Sequence, residues 1–561
     1  MLNRFLLVGT FILGLIFPPG MLANTVSGEN GVVTSRSQIA SDVGIDILQQ
    51  GGNAVDAAVA VGFALSVTYP SAGNLGGGGF VVIHLPDGTV ITQDHREKAP
   101  AAAHEDMYLD DDGNVDRRLS LYSAQAAGVP GSVAGMLEAL ERYGTMTREQ
   151  VITPAIQLAE QGFPLTEDLA RDFERVLPSM RNYPASMEIF SNEGQPWQAG
   201  DIWKQQDLAN SLKRISSEGL DGFYGGETAD LLVAEMQRLG GLISHQDLSD
   251  YTVEWREPVH GTYRGYDIWT MPPPSSGGAL LVQMLNMLEA HDLRSMGWGS
   301  ADTIHLMVEA QRRAYADRAA HMGDPDFYDV PLAMLTDKDY ARERFRDFDP
   351  QQASLSEEIG AGSWPTESTE TTHFSVMDGD GLAVAVTTTL NLGYGNRIVV
   401  PGAGFLLNNE MDDFSAKANE PNAYGLLGDE ANKIEPGKRM LSSMTPTIVT
   451  RDGKPVLVTG SPGGSTIINT VLQVVLNVVD HEMDIEQAVA SPRMHHQWQP
   501  DMIRFEPGAF VEGTEDELRA RGHTELAPMG YGLGDANSIL IHNEVIHATS
   551  DPRNDGGASA Y

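Results

Sequence analysis

Residues 372–377 and 382–389 alternate along the chain with a period of two, and the tetrapeptide Asp378-Gly379-Asp380-Gly381 separates them. This pattern predicts an antiparallel hairpin, because Asp-Gly steps supply the backbone conformations that a tight turn between strands needs. With Met377 facing Leu382, Thr371 falls opposite Thr388 and beside the segment 387–391. The stretch immediately upstream, 347–370, is rich in Ser, Glu, Thr and Gly and has little apolar periodicity, so it reads as an exposed linker. A linker that stops at Glu370 and gives way at once to Thr371, Thr372 and a strand is a suggestive place for a cut.

The chemistry available at that boundary is specific. The Thr371 hydroxyl can attack the Glu370 carbonyl, exchange the amide for an ester, and be released by water. What remains is a threonine with a free α-amine beside its own hydroxyl. Such an amine has an ordinary pKa of about 7.7–8.0, which suits a general base at neutral pH without any histidine. The pair is a recognised form of activated nucleophile. The bland alternative is a threonine placed for its β-propensity.

The rest of the chain narrows the choices. With 561 residues the length suggests several domains, and 77 Asp and Glu against 37 Lys and Arg give a net charge of -40. A chain this acidic repels phosphate backbones and anionic lipid surfaces, so nucleic acid is not an expected partner. Arg4, the apolar run 5–17, the breaker Pro18-Pro19-Gly20 and a cleavage point after Ala23 form the three-part pattern of a secretory signal over residues 1–23. The apolar run falls short of the ~20 residues a membrane span requires, so no stable span is expected and the mature protein is placed in the periplasm or outside the cell. There is no cysteine, hence no disulfide and no thiolate chemistry.

Helices are predicted at 37–50, 54–67, 279–290 and 466–479, strands at 80–85, 444–450 and 455–460, and a mainly helical pattern over 119–291. The glycine run 76–79 does not make a phosphate loop, because no Lys-Ser/Thr follows and a strand comes next; close backbone packing is the expected use. Ser461 is no serine-hydrolase elbow, since Thr459 stands where that motif needs glycine. His495-His496 and His481-Glu482 meet no zinc template. No metal and no cofactor is expected.

Five segments in order, DHREKAP from Asp94, TTHFSVMDGDGLAVAVTTTLN from Thr371, LLNNEMDDFSAK from Leu406, LSSMTPTIV from Leu441 and TGSPGGS from Thr459, resemble the γ-glutamyltransferase (γ-glutamyltranspeptidase) family. The resemblance implies an α+β N-terminal-nucleophile hydrolase fold, a four-layer αββα sandwich of two stacked antiparallel sheets between helices. It implies a precursor cut between Glu370 and Thr371 into a large subunit, residues 24–370, and a small one, residues 371–561, that stay together as a heterodimer forming one unit. The implied reaction transfers a γ-glutamyl group from glutathione or a related compound to water, an amino acid or a peptide.

Carried over position by position, the resemblance makes Thr371 the nucleophile and Thr389 the hydroxyl that supports it. Gly463 and Gly464 match the pair whose backbone N–H groups hold the oxyanion. Arg96 would grip the donor α-carboxylate with Ser442 and Ser443, while Glu410, Asp413 and Asn391 would receive the α-ammonium. Residues 418–432, with Tyr424, resemble the family's lid over the donor pocket. Two other readings compete: a glutaryl or cephalosporin amidase of the same fold, whose substrates lack the ammonium, and a non-catalytic binder of anionic peptides.

Overall fold

The computed structural model describes residues 24–359, 371–417 and 420–561. The signal pattern at 1–23, residues 360–370 of the linker with Glu370 among them, and residues 418 and 419 of the lid segment lie outside the described residues. Two seven-stranded antiparallel sheets form the centre. In one, the spatial order is Asn24–Gly28, Val545–Ser550, Ser538–His542, Lys454–Thr459, Thr447–Arg451, Tyr266–Thr270 and Val259–Tyr263. In the other it is Gly557–Ala560, Gly31–Ser35, Thr372–Asp378, Ala383–Thr389, Gly78–His84, Val90–His95 and Glu254–Arg256.

Period-two alternation sorts the side chains of the central hairpin between two cores. Phe374, Val376, Val384 and Val386 face a helical layer containing Gln38–Gln49, Ala54–Thr68 and Ser132–Tyr143. Met377, Ala383 and Ala385 face the other sheet, where they meet Ile448, Val458 and Ile539. The second sheet carries its own helices, Gly277–Leu288, Ala301–His321 and Ile467–Val479, on its outer face. Helix, sheet, sheet and helix therefore stack as four layers. Each sheet mixes strands from before residue 360 and after residue 370, so the length-based expectation of several domains gives way to one shared sandwich.

Local chemistry explains the long buried helix. Asn53 caps Ala54–Thr68 and Asp56 closes the capping box, and every residue of the helix is buried. Small side chains let it lie close against the sheet. Polar residues on the inner face of the hairpin are satisfied in pairs: His373 Nδ1 lies 2.9 Å from Thr387 Oγ1, and its Nε2 lies 3.0 Å from Ser375 Oγ. Burial pushes the His373 pKa down to about 3, so the ring stays neutral. Among the described residues no helix is long and apolar enough to cross a membrane.

The structure corrects two expectations. The hairpin register is shifted by one: Met377 pairs with Ala383 and Thr372 with Thr388, which puts Thr371 beside Thr389 and not opposite Thr388. The cause is Asp378, whose Oδ1 accepts the N–H of Asp380 at 3.0 Å and of Leu382 at 3.1 Å, leaving a three-residue turn with Gly381 at φ +87. The region 119–291 is also not helical throughout. Glu254–Arg256, Val259–Tyr263 and Tyr266–Thr270 are strands that finish one edge of each sheet. They are short and half-exposed, so their apolar pattern is weak.

Asp378 also accepts the Ala54 N–H through Oδ2 at 3.0 Å, tying the turn to the start of the buried helix. Asp378→Ala leaves two buried N–H groups, of Ala54 and Leu382, without this acceptor, along with that of the exposed Asp380, and is expected to lower stability by about 2–4 kcal/mol. Asp378→Asn keeps Oδ1 and should recover more than half of the loss; denaturant unfolding of both variants measures it.

Candidate active site

The central strand begins where the described chain resumes. Thr371 is 6% exposed, and its Oγ1 donates to Thr389 Oγ1 at 3.4 Å. Thr389 ends the partner strand, and its Oγ1 also accepts the Asn391 N–H at 2.8 Å. This corner is crowded by the glycine run, which packs closely as its composition predicts. A Cβ on Gly77 would overlap the Thr389 carbonyl oxygen, and one on Gly78 would overlap the Glu97 carboxylate.

One cleft collects most of the residues singled out in the sequence. Arg96, Thr371, Thr389, Asn391, Glu410, Asp413, Tyr424, Ser442, Ser443 and Gly464 all line it. Gly463 does not; it turns the chain just behind, at φ +134, with its carbonyl accepting the N–H and hydroxyl of Thr466.

Arg96 is fully buried and held on every side. It donates to Glu410 through Nη1, to Asp413 Oδ2 at 2.5 Å through Nη2, and to the Met440 carbonyl at 3.2 Å through Nε. Glu97 lies 3.6 Å away. The fork predicted to face a substrate carboxylate is thus occupied by the two acids predicted to face the ammonium. Burial raises all three carboxyl groups, with Arg96 pulling in the opposite direction: Asp413 to about 6, Glu97 to about 7, and Glu410 well above the usual range. Burial works against the Arg96 charge as well, yet the neighbouring carboxylates outweigh it and its pKa is raised.

Two buried acceptors in the cleft have no hydrogen-bond partner among the described residues, Asn391 Oδ1 and Glu410 Oε2. Asn391 holds its place through a positive φ of 74 and a bond from Nδ2 to the Asn409 carbonyl at 2.8 Å. Its own carbonyl accepts the Tyr424 hydroxyl at 2.6 Å, which fixes the ring across the cleft. Asp413 Oδ1 accepts Asn422 Nδ2 at 3.1 Å, so the segment around Tyr424 is tied to the acidic cluster.

Two residues of the site were missed from sequence. Glu97, buried beside Arg96, sits inside the DHREKAP segment but carries no pattern that separates it from a surface acid. Arg318 lines the cleft, from the helix Ala301–His321. Only its place among nearly continuous buried positions distinguishes it, and the sequence offers Arg312 and Arg313 on the same helix as equal candidates.

A family model described as Gamma-glutamyltranspeptidase matches residues 40–561. The chain is 49% identical over 534 residues to the glutathione hydrolase proenzyme of Escherichia coli (strain K12), covering 94% of this chain and 91% of that protein. The crystal structure of Helicobacter pylori gamma-glutamyltranspeptidase superposes with a TM-score of 0.57 at 46% identity, over 58% of this chain and 93% of that one. Cephalosporin acylase from Bacillus halodurans superposes with a TM-score of 0.85 at 26% identity, over 98% and 99% of the two chains.

Gly464 has φ +54, and a Cβ there would overlap the Tyr424 ring. Gly464→Ala is therefore expected to displace Tyr424 and lower stability by about 1–3 kcal/mol. Gly437→Ala is the control, since Gly437 has φ +77 but nothing within 4 Å of its Cβ. Hydrogen exchange at 422–427 should rise in the first variant and not in the second.

Proposed function

This chain belongs to the gamma-glutamyltranspeptidase family, and from that premise we propose that Thr371 is the nucleophile of an autoprocessed γ-glutamyltransferase and glutathione hydrolase. In processing, Thr371 Oγ attacks the Glu370 carbonyl carbon. The C–N bond breaks as the ester forms, and the proton passes to the Thr371 nitrogen. Water then opens the ester, leaving Glu370 as a carboxylate and Thr371 with a free α-amine.

In turnover the α-amine takes the Oγ proton while Oγ attacks the γ-carbonyl carbon of the donor. The carbonyl oxygen becomes an oxyanion, for which Gly463 and Gly464 offer backbone N–H groups. The amine leaves with the proton, and water or an acceptor amine opens the γ-glutamyl-threonine ester. Thr389, 3.4 Å from the attacking oxygen, steadies it in both reactions. The large and small subunits remain one heterodimer, and the 1–23 pattern directs the protein to the periplasm or the exterior.

The observation that carries the donor assignment is the pair of unfilled buried acceptors, Asn391 Oδ1 and Glu410 Oε2, beside Asp413 in the cleft that Thr371 opens into. Acceptors and excess carboxylate suit an α-ammonium. A glutaryl donor has nothing to give them, which disfavours the amidase reading. Arg96, Ser442 and Ser443 lie at the carboxylate end. A binding protein for anionic peptides would need neither the threonine pair nor the linker.

Thr371→Ala is expected to fold, to remain one chain on a denaturing gel, and to have no γ-glutamyl activity, whereas the wild-type small subunit begins Thr-Thr-His-Phe by N-terminal sequencing. A different first residue would move the nucleophile elsewhere. Donor choice is tested by Asp413→Asn. Loss of its charge opposite a desolvated ammonium costs roughly 2–5 kcal/mol, about 30- to several-thousand-fold in kcat/KM for a γ-glutamyl anilide. The ratio of γ-glutamyl to glutaryl anilide efficiency should shrink in the variant. A wild-type preference for the glutaryl compound would assign the chain to the amidase chemistry.

A further inference from the structure

Two buried histidines meet where the helix Ala301–His321 packs against the helix Thr514–Ala520 and the turn that follows it. His305 Nδ1 and His523 Nε2 lie 2.8 Å apart, and His305 Nε2 donates to the Asp349 carbonyl at 2.8 Å. A carbonyl can only accept, so the lone pair of the His305 ring is on Nδ1 and points at His523. Glu309, one turn further along the helix, brings a carboxylate oxygen to the same point: one atom from each of the three residues lies within 4.8 Å of the others. All three are buried, and none of them lines the cleft that holds Thr371.

Each of the three is in the protonation state that a metal needs. Burial pushes the His305 pKa down, and burial, with His305, Arg312 and His496 adding to it, pushes His523 to about 3. Burial works against the Glu309 charge, yet Arg312, Ser354 and Arg313 outweigh it and hold its pKa at about 2. Two neutral imidazoles and an ionised carboxylate therefore stand together at neutral pH, and His523 has only to carry its proton on Nδ1 instead of Nε2. The surrounding charges do not forbid a dication. Arg312, Arg313 and Arg521 are the guanidiniums of this region, and five carboxylates pair with them: Glu309, Asp347, Asp501, Asp302 and Glu517. Solvent screens the outer pairs, but no net positive charge is left to repel a metal ion.

The ligands are also held in place. The His523 N–H donates to the Leu518 carbonyl at 3.0 Å, and Arg521 ties the same turn to the facing helix by donating from Nη1 to the Ala301 carbonyl at 3.1 Å. A ligating imidazole commonly donates its other N–H to a carbonyl, as His305 does. We propose that His305, Glu309 and His523 form a structural site for a divalent transition metal of the zinc class, which staples the chain before Thr371 to the chain after it. At a metal–nitrogen distance of about 2.0–2.1 Å, two tetrahedral ligands stand about 3.3 Å apart, so the rings have to part by roughly half an ångström. Water or the second Glu309 oxygen completes four-coordination. Two ligands come from one helix turn and the third from far along the chain, so no short histidine template marks the site.

The test uses the whole protein, stripped with EDTA and titrated with Co2+ alone, whose visible bands report four-coordination, and then with Zn2+ as competitor. One Co2+ should bind per molecule with a Kd of about 10 µM or tighter, and Zn2+ should displace it. Zn2+ at about 100-fold over its Kd should raise Tm by about 2 °C. His305→Gln and His523→Gln, which keep a hydrogen-bonding group in place of the ring, should each weaken Co2+ binding by about 10-fold or more, since even an outer partner of a ligand is worth that much. His245→Gln, at the exposed His245–Asp230 pair, should leave binding unchanged. Should neither buried variant fold, X-ray absorption of the wild-type cobalt protein decides. Two imidazoles on the metal support the site, because no other group of three such side chains lies together among the described residues. One imidazole or none, binding weaker than about 10 µM, or binding that survives both buried variants would overturn the proposal.

Discussion

The pairing of Thr372–Asp378 with Ala383–Thr389 is the contact on which the rest of the molecule depends. Its register is set at the turn end by one carboxylate, Asp378, and read out at the other end by the meeting of two threonines. Because the side-chain period of a strand is two, a slip of one residue would exchange the two cores, sending Phe374 and Val376 between the sheets and Met377 toward the helices. The same slip would part Thr371 from Thr389. Fold stability and site geometry are thus fixed by a single register.

Electrostatics divides the protein into two regimes. The chain as a whole carries a net charge of -40, and its exposed charges are solvated and screened by salt. Inside, two guanidiniums and three carboxyl groups sit where water does not dilute their interactions, and each responds to its neighbours. The backbone carbonyls of Met440 and Leu441 and the Ser276–Ser442 bonds hold these groups in place. The cleft gains its selectivity from that preorganisation, since its charges are already oriented before a substrate arrives.

Much of this was legible in the sequence, and the illegible parts have physical reasons. The strand that starts at Thr372, the close-packed glycine run and the buried helix Ala54–Thr68 declare themselves through composition and period. Quoted motifs also led to most of the residues that line the cleft. The hairpin register was not legible, because a carboxylate capping its own turn adds a strand pair that alternation alone does not count. Nor was the clasp of Arg96 by Glu410 and Asp413: those residues lie more than three hundred positions apart, and charge type says nothing about which partner a folded chain brings near. Arg318 looked no different from Arg312 and Arg313, although those two meet carboxylates and it does not.

The mixing of early and late strands in both sheets has a consequence for the life of the molecule. While residues 359 and 371 belong to one chain, the two halves are tethered, and each finds the other at the millimolar effective concentration of a short linker. A cut before Thr371 abolishes that tether without removing a strand from either sheet. Afterwards neither half owns a complete sheet, so neither has a folded state of its own to return to. Reassembly becomes a second-order encounter between two incomplete chains with exposed strand edges, and dilution slows it. The native arrangement is then inherited from the uncut chain and preserved by the barrier to unfolding.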